Sequence, residues 1–454
     1  MTQTTHVAII GAGPAGLSAA RHLTLRNIHY TQFERHSDVG GIWDIDNPGS
    51  PMYRSAHFIS SSRLSGFYGF PMPTEFPDYP DRQRVLDYTR SFAKAFDLYA
   101  NLKLSTAVSR VSGTDGDWRV EYGDGQVSSF SHVICANGHT WSPNWPEYEG
   151  EFSGESMHAV DFQDPTIFEG KRVLVVGGGN SAFDIACDAA RHARFAAISM
   201  RRGYHIIPKH IFGVPTDQFG ERTKWLPLAV RRKLFARILR LVNGDLTKLG
   251  LKAPDHRVLA SHPIINSQLT HHLRHGDIEV RADIKTFDGD KVVFADDREE
   301  RYDLVLYATG YHYDIPYIDP VYFDWKASKP QLDFTVFNER HPTLFAAGFT
   351  EMNAGGYFIF DEMTGLIASA IDCQSHHPIR WDEARRAISG RRDFSGALKL
   401  VDSERHVGYL DIETFLRRTA RLTRLLGWPD AKSTLEPHHR AHNPDAEGVS
   451  DVTA

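Results

Sequence analysis

Two glycine-rich turns, and the charged residues that follow each, are the groups in this 454-residue chain whose spacing could do chemistry. The first, Gly11-Ala12-Gly13-Pro14-Ala15-Gly16, has the G-x-G-x-x-G form of a dinucleotide-binding turn. In that form Gly11 makes the tight turn, Gly13 lets the backbone approach a pyrophosphate, and Gly16 lets a helix pack close to a strand. The diphosphate then rests on the helix N-terminus. Glu34 ends the next apolar run, His29 to Phe33, at the distance where an acid hydrogen-bonds both ribose hydroxyls of an adenosine. Such an acid favours a ribose without a 2′-phosphate. The second turn, Gly177-Gly178-Gly179-Asn180-Ser181-Ala182, has the G-x-G-x-x-A form, and its next apolar run ends at Arg201-Arg202 where the first copy has Glu34. An acid repels a 2′-phosphate of charge about −1.5 to −2, whereas an arginine grips it bidentately. One site for an unphosphorylated ribose and one for a phosphorylated ribose read as FAD plus NADPH.

Each turn needs a strand before it and a helix after it. Val7 to Ile10 and Lys171 to Val176 are short, largely apolar runs of the right kind. Ala15, Ala19, Ala20 and Leu23, and then Ala182, Ile185, Ala186, Ala189 and Ala193, give one-sided helical patterns. Between the turns, Asn47 to Pro80 is rich in Pro, Gly and Ser yet dense in aromatics, so it is expected to be ordered and to cover a ligand. Thr106 to Val111, Trp118 to Tyr122 and Val127 to Phe130 alternate like a small antiparallel sheet with a hairpin at Gly123-Asp124-Gly125. Buried strands are expected at His132 to Ala136, at Asp303 to Tyr307 before Ala308-Thr309-Gly310-Tyr311, and at Thr343 to Gly348; a helix is expected at Met363 to Ile371. The expected fold is α/β, with two Rossmann-like dinucleotide-binding domains, the second inserted in the first. Residues 1–165 and 301–430 would form the FAD domain, 166–300 the NADPH domain, and 431–454 a polar, disordered tail.

The net charge of −6 and an isoelectric point near 6.5 point away from a nucleic-acid partner. Three scattered cysteines, Cys135, Cys187 and Cys373, offer no disulfide framework, metal site or redox dithiol and fit a reducing, cytoplasmic setting. No apolar run reaches the roughly 18 residues that spanning a bilayer requires, and no signal peptide precedes the first strand. Trp225 to Val242 is a basic amphipathic helix, read as packed with a charged solvent face rather than as a membrane element. Ile412 to Trp428 is amphipathic too, a candidate for docking or for contact in a homodimer.

Between the two turns, Phe152-Ser153-Gly154-Glu155-Ser156-Met157-His158-Ala159-Val160-Asp161-Phe162 matches the F-x-G-x-x-x-H-x-x-x-[FYW] fingerprint of class B flavoprotein monooxygenases. With the two turns, Gly40-Gly41-Ile42-Trp43 and Ala308-Thr309-Gly310-Tyr311, the chain resembles the flavin-containing monooxygenase family over about residues 5–370. The resemblance implies that Gly11 to Gly16, Glu34, Arg35, Gly41, Ile42, Trp43, Ile59, Val108, Ala136, Thr309 and Gly348 lie at the cofactors, with Gly177, Gly179, Asn180, Ser181, Ala182, Arg201 and Arg202 around NADPH. It implies a C4a-peroxyflavin that oxygenates sulfur or nitrogen of a small organic substrate with O2. Baeyer-Villiger oxidation of ketones and an NADPH-linked flavin reductase that serves a partner are the alternatives. His158 is expected to order the linker between the domains rather than to act as acid or base. One departure stands out: the family's asparagine beside the flavin falls on Ile59, which leaves Ser60 and Ser61 as the nearby hydroxyls and puts amine oxygenation in doubt.

Overall fold

The computed structural model describes residues 5–353, 355–390, 393–396, 398–401 and 404–442. Two five-stranded parallel sheets organise the chain. In the first, the spatial order is Leu344–Ala346, His132–Cys135, His6–Ile10, His29–Phe33 and Leu102–Lys103. The second runs Glu279–Arg281, Phe195–Ser199, Arg172–Val176, Leu304–Tyr307 and Glu155–His158. Both follow one plan: the strand that feeds the glycine turn lies at the centre, and the strand after its helix lies beside it. Val7, Ala8 and Ile9, like Val173, Leu174 and Val175, are fully buried, as parallel strands covered on both faces require. The expected small antiparallel sheet forms from Val108–Thr114, Asp117–Tyr122 and Gln126–Phe130.

Sheet membership corrects the expected boundaries. Leu304–Tyr307 was expected in the first sheet, but it pairs in parallel with Val173 to Val176 of the second. Glu155–His158, expected before the second unit begins, is that sheet's edge strand. The strands of the second sheet therefore span 155–307, and the chain returns to the first sheet only at Leu344. A buried apolar run reads the same whichever sheet receives it, so only the pairing decides. The two crossings between the units run side by side, with Ser142–Pro143 paired antiparallel to Tyr311–His312.

The loop 47–80 joins the two units. Phe58 and Phe67 sink into the first core, whereas Tyr53 and Ala56 belong to the second. The Tyr53 hydroxyl donates to Asp184 Oδ2 at 3.1 Å, and Asp217 Oδ2 accepts from the Ser61 amide at 2.6 Å.

The C-terminal part completes the first unit. The helix Phe358–His376, which starts five residues before its expected beginning, packs along the helix Pro14–Leu25. There Arg21, 1% exposed, donates to Asp361 Oδ1 at 2.5 Å and to the Tyr68 carbonyl at 2.9 Å. Ser18 and the Tyr68 amide also donate to Asp361, at 2.6 and 2.8 Å. The helix Ile412–Leu426 is capped by Asp411, whose Oδ2 accepts from the Thr414 amide at 3.0 Å. Its Phe415 and Leu422 enter the first core, so the face expected to dock a partner is spent on the chain itself. Residues 431–442, expected to be disordered, form a helix, because buried Ala431 and Leu435 anchor it against Phe358–His376. The rest of the expected tail, 443–454, lies outside the described residues.

Beside Asp361, burial pushes the Glu362 carboxyl up to about 7, and Tyr68 donates to its Oε1 at 3.0 Å. The folded state thus holds a proton that the unfolded chain releases near the ordinary value of about 4.3. Stability falls as pH rises from there to about 7 and stays reduced above it. Glu362→Gln, which keeps the acceptor for Tyr68, is expected to raise the melting temperature at pH 8 and to leave it nearly unchanged at pH 4. Equal shifts at both pH values would refute this assignment.

Candidate cofactor and substrate site

The first glycine turn is built on contacts that a side chain would destroy. Gly11 has φ +109°, and a Cβ there would lie 2.5 Å from the Ala136 carbonyl oxygen. The second unit repeats this contact: Gly177 has φ +143°, and its Cβ would lie 2.4 Å from the Ala308 oxygen. Each turn is thus pinned to the end of the neighbouring strand, at Ala136 and at Ala308. Gly13 and Gly179 are the N-caps of the helices Pro14–Leu25 and Asn180–His192, and neither is crowded. Their unpaired N-terminal amides are the groups that hold a diphosphate.

A cavity of about 1650 Å³ opens from the first turn and runs between the two units. Gly11, Gly13, Pro14, Ala15, Glu34, Arg35, Gly41, Ile42, Trp43, Ile59, Ser60, Val108, Ala136 and Gly348 all line it. Glu34 is 6% exposed, and its carboxylate accepts from the Ala12 amide at 2.7 Å and from the His36 amide at 2.9 Å. Each of its oxygens keeps lone-pair capacity for a ribose hydroxyl. The guanidinium of Arg35 stacks on Trp141 at 4.3 Å. Two further positions have structural tasks: Ala12 orients Glu34 through its amide, and Gly16 lets the helix meet Gly11.

Several expected site residues stand elsewhere. Ser61 is fully buried off the cavity, and its hydroxyl takes a hydrogen bond from Gln218 Nε2 at 3.2 Å. Ser61 therefore does not stand with Ser60 as a hydroxyl at the catalytic space, the role expected of both from their place beside Ile59; Ser60 alone of the pair lines the cavity. Asn180 is a staple: its Nδ2 donates to the Pro263 carbonyl at 3.2 Å, and its Oδ1 accepts from the Ile265 amide at 2.8 Å. Ser181 meets the Tyr53 hydroxyl, and Ala182 is buried in the second core. Thr309 donates to the Asn144 carbonyl at 2.5 Å and faces the crossing, not the first turn. Arg201 and Arg202 follow the second sheet's Phe195–Ser199 strand as expected, and neither forms an ion pair with a described residue. His158 is fully buried between the rings of Trp145 and Tyr311.

Other groups at the cavity carry no motif. Asn47 is 2% exposed and lines the cavity; its Nδ2 donates to the Gly41 carbonyl, while its Oδ1 has no hydrogen-bond partner among the described residues. An orphaned buried acceptor facing the space beside Gly41 is what a bound cofactor would satisfy. In sequence it sits in Asn47-Pro48-Gly49, which reads as a turn. On the far wall, Glu351 lies within reach of Arg405 (3.2 Å) and His262 (3.4 Å). Burial opposes its ionisation, but the Arg405 guanidinium foremost, with the Lys329 ammonium, outweighs that and holds its carboxyl below the usual range. Burial lowers the Lys329 ammonium to about 8 and the His262 imidazole to about 3, so His262 stays neutral at the wall. Glu351, Arg405, His262, His139 and Lys329 are spread along the sequence, and only the fold brings them together.

The chain matches the model of the flavin-binding monooxygenase-like family over residues 4–364. It is 30% identical over 434 residues to flavin-containing monooxygenase 5 of Cavia porcellus, an alignment covering 88% of this chain and 79% of that one. It is 30% identical over 364 residues to the probable indole-3-pyruvate monooxygenase YUCCA9 of Arabidopsis thaliana, covering 77% and 85%. Its fold is similar to that of the S-allyl-L-cysteine S-oxygenase of Allium sativum, with a TM-score of 0.65 at 20% identity over 98% of this chain and 95% of that one. With both nucleotide turns and the fingerprint in place, this chain belongs to the flavin-binding monooxygenase-like family, oxidoreductases that work with FAD and NADPH.

Proposed function

We propose that this enzyme transfers one atom of O2 to a soft heteroatom, sulfur before nitrogen, of a small organic substrate. The observation that carries this reading is the cavity itself: it runs without a break from Glu34 past Ile59 and Ser60 to the second unit. When bound, the flavin supplies the redox chemistry, accepting hydride from the nicotinamide and activating dioxygen. Glu34, Gly13 and the N-terminus of the helix Pro14–Leu25 would hold FAD, with Asn47 Oδ1 as a further acceptor. Gly179, the N-terminus of the helix Asn180–His192, Arg201 and Arg202 would hold NADPH. Phe58, Leu64 and Tyr357 give the cavity apolar walls that exclude water near Ile59. Ser60, whose hydroxyl reaches the cavity, is the polar group left to orient a substrate there.

Arg201→Ala is expected to raise KM for NADPH roughly 10- to 100-fold, the loss of a charge-assisted contact of about 1.5–3 kcal/mol, and to leave KM for NADH unchanged. Steady-state kinetics with both cofactors checks it; equal effects would remove Arg201 from the site.

Ile59 offers no donor or acceptor, so a tertiary amine should stimulate NADPH oxidation that ends mainly in peroxide, whereas an alkyl aryl sulfide should give sulfoxide. The test measures NADPH consumed, product formed and peroxide released with a sulfide, trimethylamine and a cyclic ketone. Tight coupling with the sulfide supports the reading, and amine coupling should improve in Ile59→Asn. Stoichiometric peroxide with every substrate would replace it by a reductase, and lactone from the ketone alone by Baeyer-Villiger oxidation.

A further inference from the structure

Among the described residues, eleven large apolar side chains stand exposed, and six of them lie between positions 212 and 242: Phe212, Trp225, Val230, Leu234, Leu241 and Val242. Trp225 is 80% exposed and Leu241 is 77% exposed. The helix Leu228–Asn243 buries only Ile238 and Leu239. Val230, Leu234 and Leu241 recur at helical spacing and form one exposed stripe. Lys233, Arg237 and Arg240 form a second stripe beside it. From 222 to 244 the chain carries seven arginines and lysines and no Asp or Glu, although its net charge is −6. Lys224 pairs with Glu221 and Arg231 with Glu413, whereas Lys233, Arg237 and Arg240 form no ion pair with a described residue. Leu228, Arg231, Leu234 and Phe235 of the same helix line the cavity, so this face borders its opening.

A packed helix with a solvated charged face does not need a bare apolar stripe, and such clusters mark interaction sites. Apolar side chains, an exposed tryptophan and unpaired cations on one side of a helix match the chemistry of an anionic bilayer surface. A second copy of this chain fits worse, because a two-fold contact through this face would set its cations against their own images. No helix among the described residues is long and apolar enough to cross a membrane, which leaves docking at the interface.

We propose that the helix Leu228–Asn243, with Trp225, docks on the surface of anionic lipid bilayers. Trp225, Val230, Leu234 and Leu241 enter the headgroup boundary, and Lys233, Arg237 and Arg240 meet lipid phosphates. The cavity then opens at the membrane, from which apolar substrates reach it. The docking does not depend on which heteroatom is oxygenated.

Flotation of the full-length holoenzyme with phosphatidylcholine vesicles, with and without about a third phosphatidylglycerol, tests this. Binding to the anionic vesicles should exceed binding to the neutral ones at least about tenfold and should collapse in about 0.5 M salt. Leu241→Glu with Arg237→Glu, both on the exposed face and outside the cavity wall, should abolish the binding while flavin content and melting temperature stay at wild-type values. Wild-type protein that ignores the anionic vesicles would overturn the proposal. So would unchanged binding by the double variant, or sedimentation showing that the substitutions instead split an oligomer.

Discussion

Alanine at position 16 is expected to strip the enzyme of its flavin. A Cβ on Gly16 would lie 2.0 Å from the Gly11 carbonyl oxygen and 3.0 Å from Gln32 Nε2. The first of these is backbone, itself pinned to Ala136, so the helix Pro14–Leu25 has to move away from the strand His6–Ile10. Relieving that overlap costs about 1–3 kcal/mol or more and displaces the amides that hold the diphosphate. Purified Gly16→Ala should therefore show a flavin-to-protein absorbance ratio far below wild type that added FAD does not restore. Gly13→Ala is the control, because its nearest contact would be Gly41 Cα at 3.4 Å. It should fold with a normal melting temperature and lose only FAD affinity. A Gly16→Ala protein that purifies with a full complement of flavin would overturn this account of the turn.

Removing the Arg21 guanidinium should cost the most stability of any single truncation in the first unit. Asp361 is fully buried, where burial pushes its carboxyl up and Arg21 foremost opposes that, and the arginine also lies over the rings of Phe92 and Phe96 at 4.7 and 4.9 Å. Arg21→Ala leaves a carboxylate without its counter-charge, at about 3–5 kcal/mol. Pairing Arg21→Met with Asp361→Asn removes both charges and should recover a large part of that loss. Denaturant unfolding of the single and double variants, read by flavin fluorescence and by circular dichroism, measures the coupling. A single variant within about 1 kcal/mol of wild type would show that Ser18 and the Tyr68 amide suffice to hold Asp361.

What the sequence reveals of this molecule depends on how local the physics is. Gly11, Gly16 and Gly177 are legible because a turn, a helix and a strand meet within a few residues of each. Glu34 is legible because one helix fixes its distance from the turn. The sheet that receives Leu304–Tyr307 is not legible, because burial on both faces leaves the same apolar run in either. Ser61 and Asn180 have hydrogen-bonding side chains beside motif positions, but the partners that claim them, Gln218 and the 263–265 backbone, come from distant segments. Asn47 hides in turn chemistry, and the Glu351 cluster has no periodicity at all. The helix Ala431–His442 escaped a reading based on polarity because two apolar residues are enough to anchor it.

The antiparallel pairing of Ser142–Pro143 with Tyr311–His312 has a mechanical consequence. Two paired strands hold together where a single strand could follow either unit by itself, so the two crossings form one tether rather than two, and Ser142, Pro143 and His312 place that tether at the cavity wall. Tyr53 on Asp184 and Ser61 on Asp217 tie the same two units a second time, through the loop 47–80.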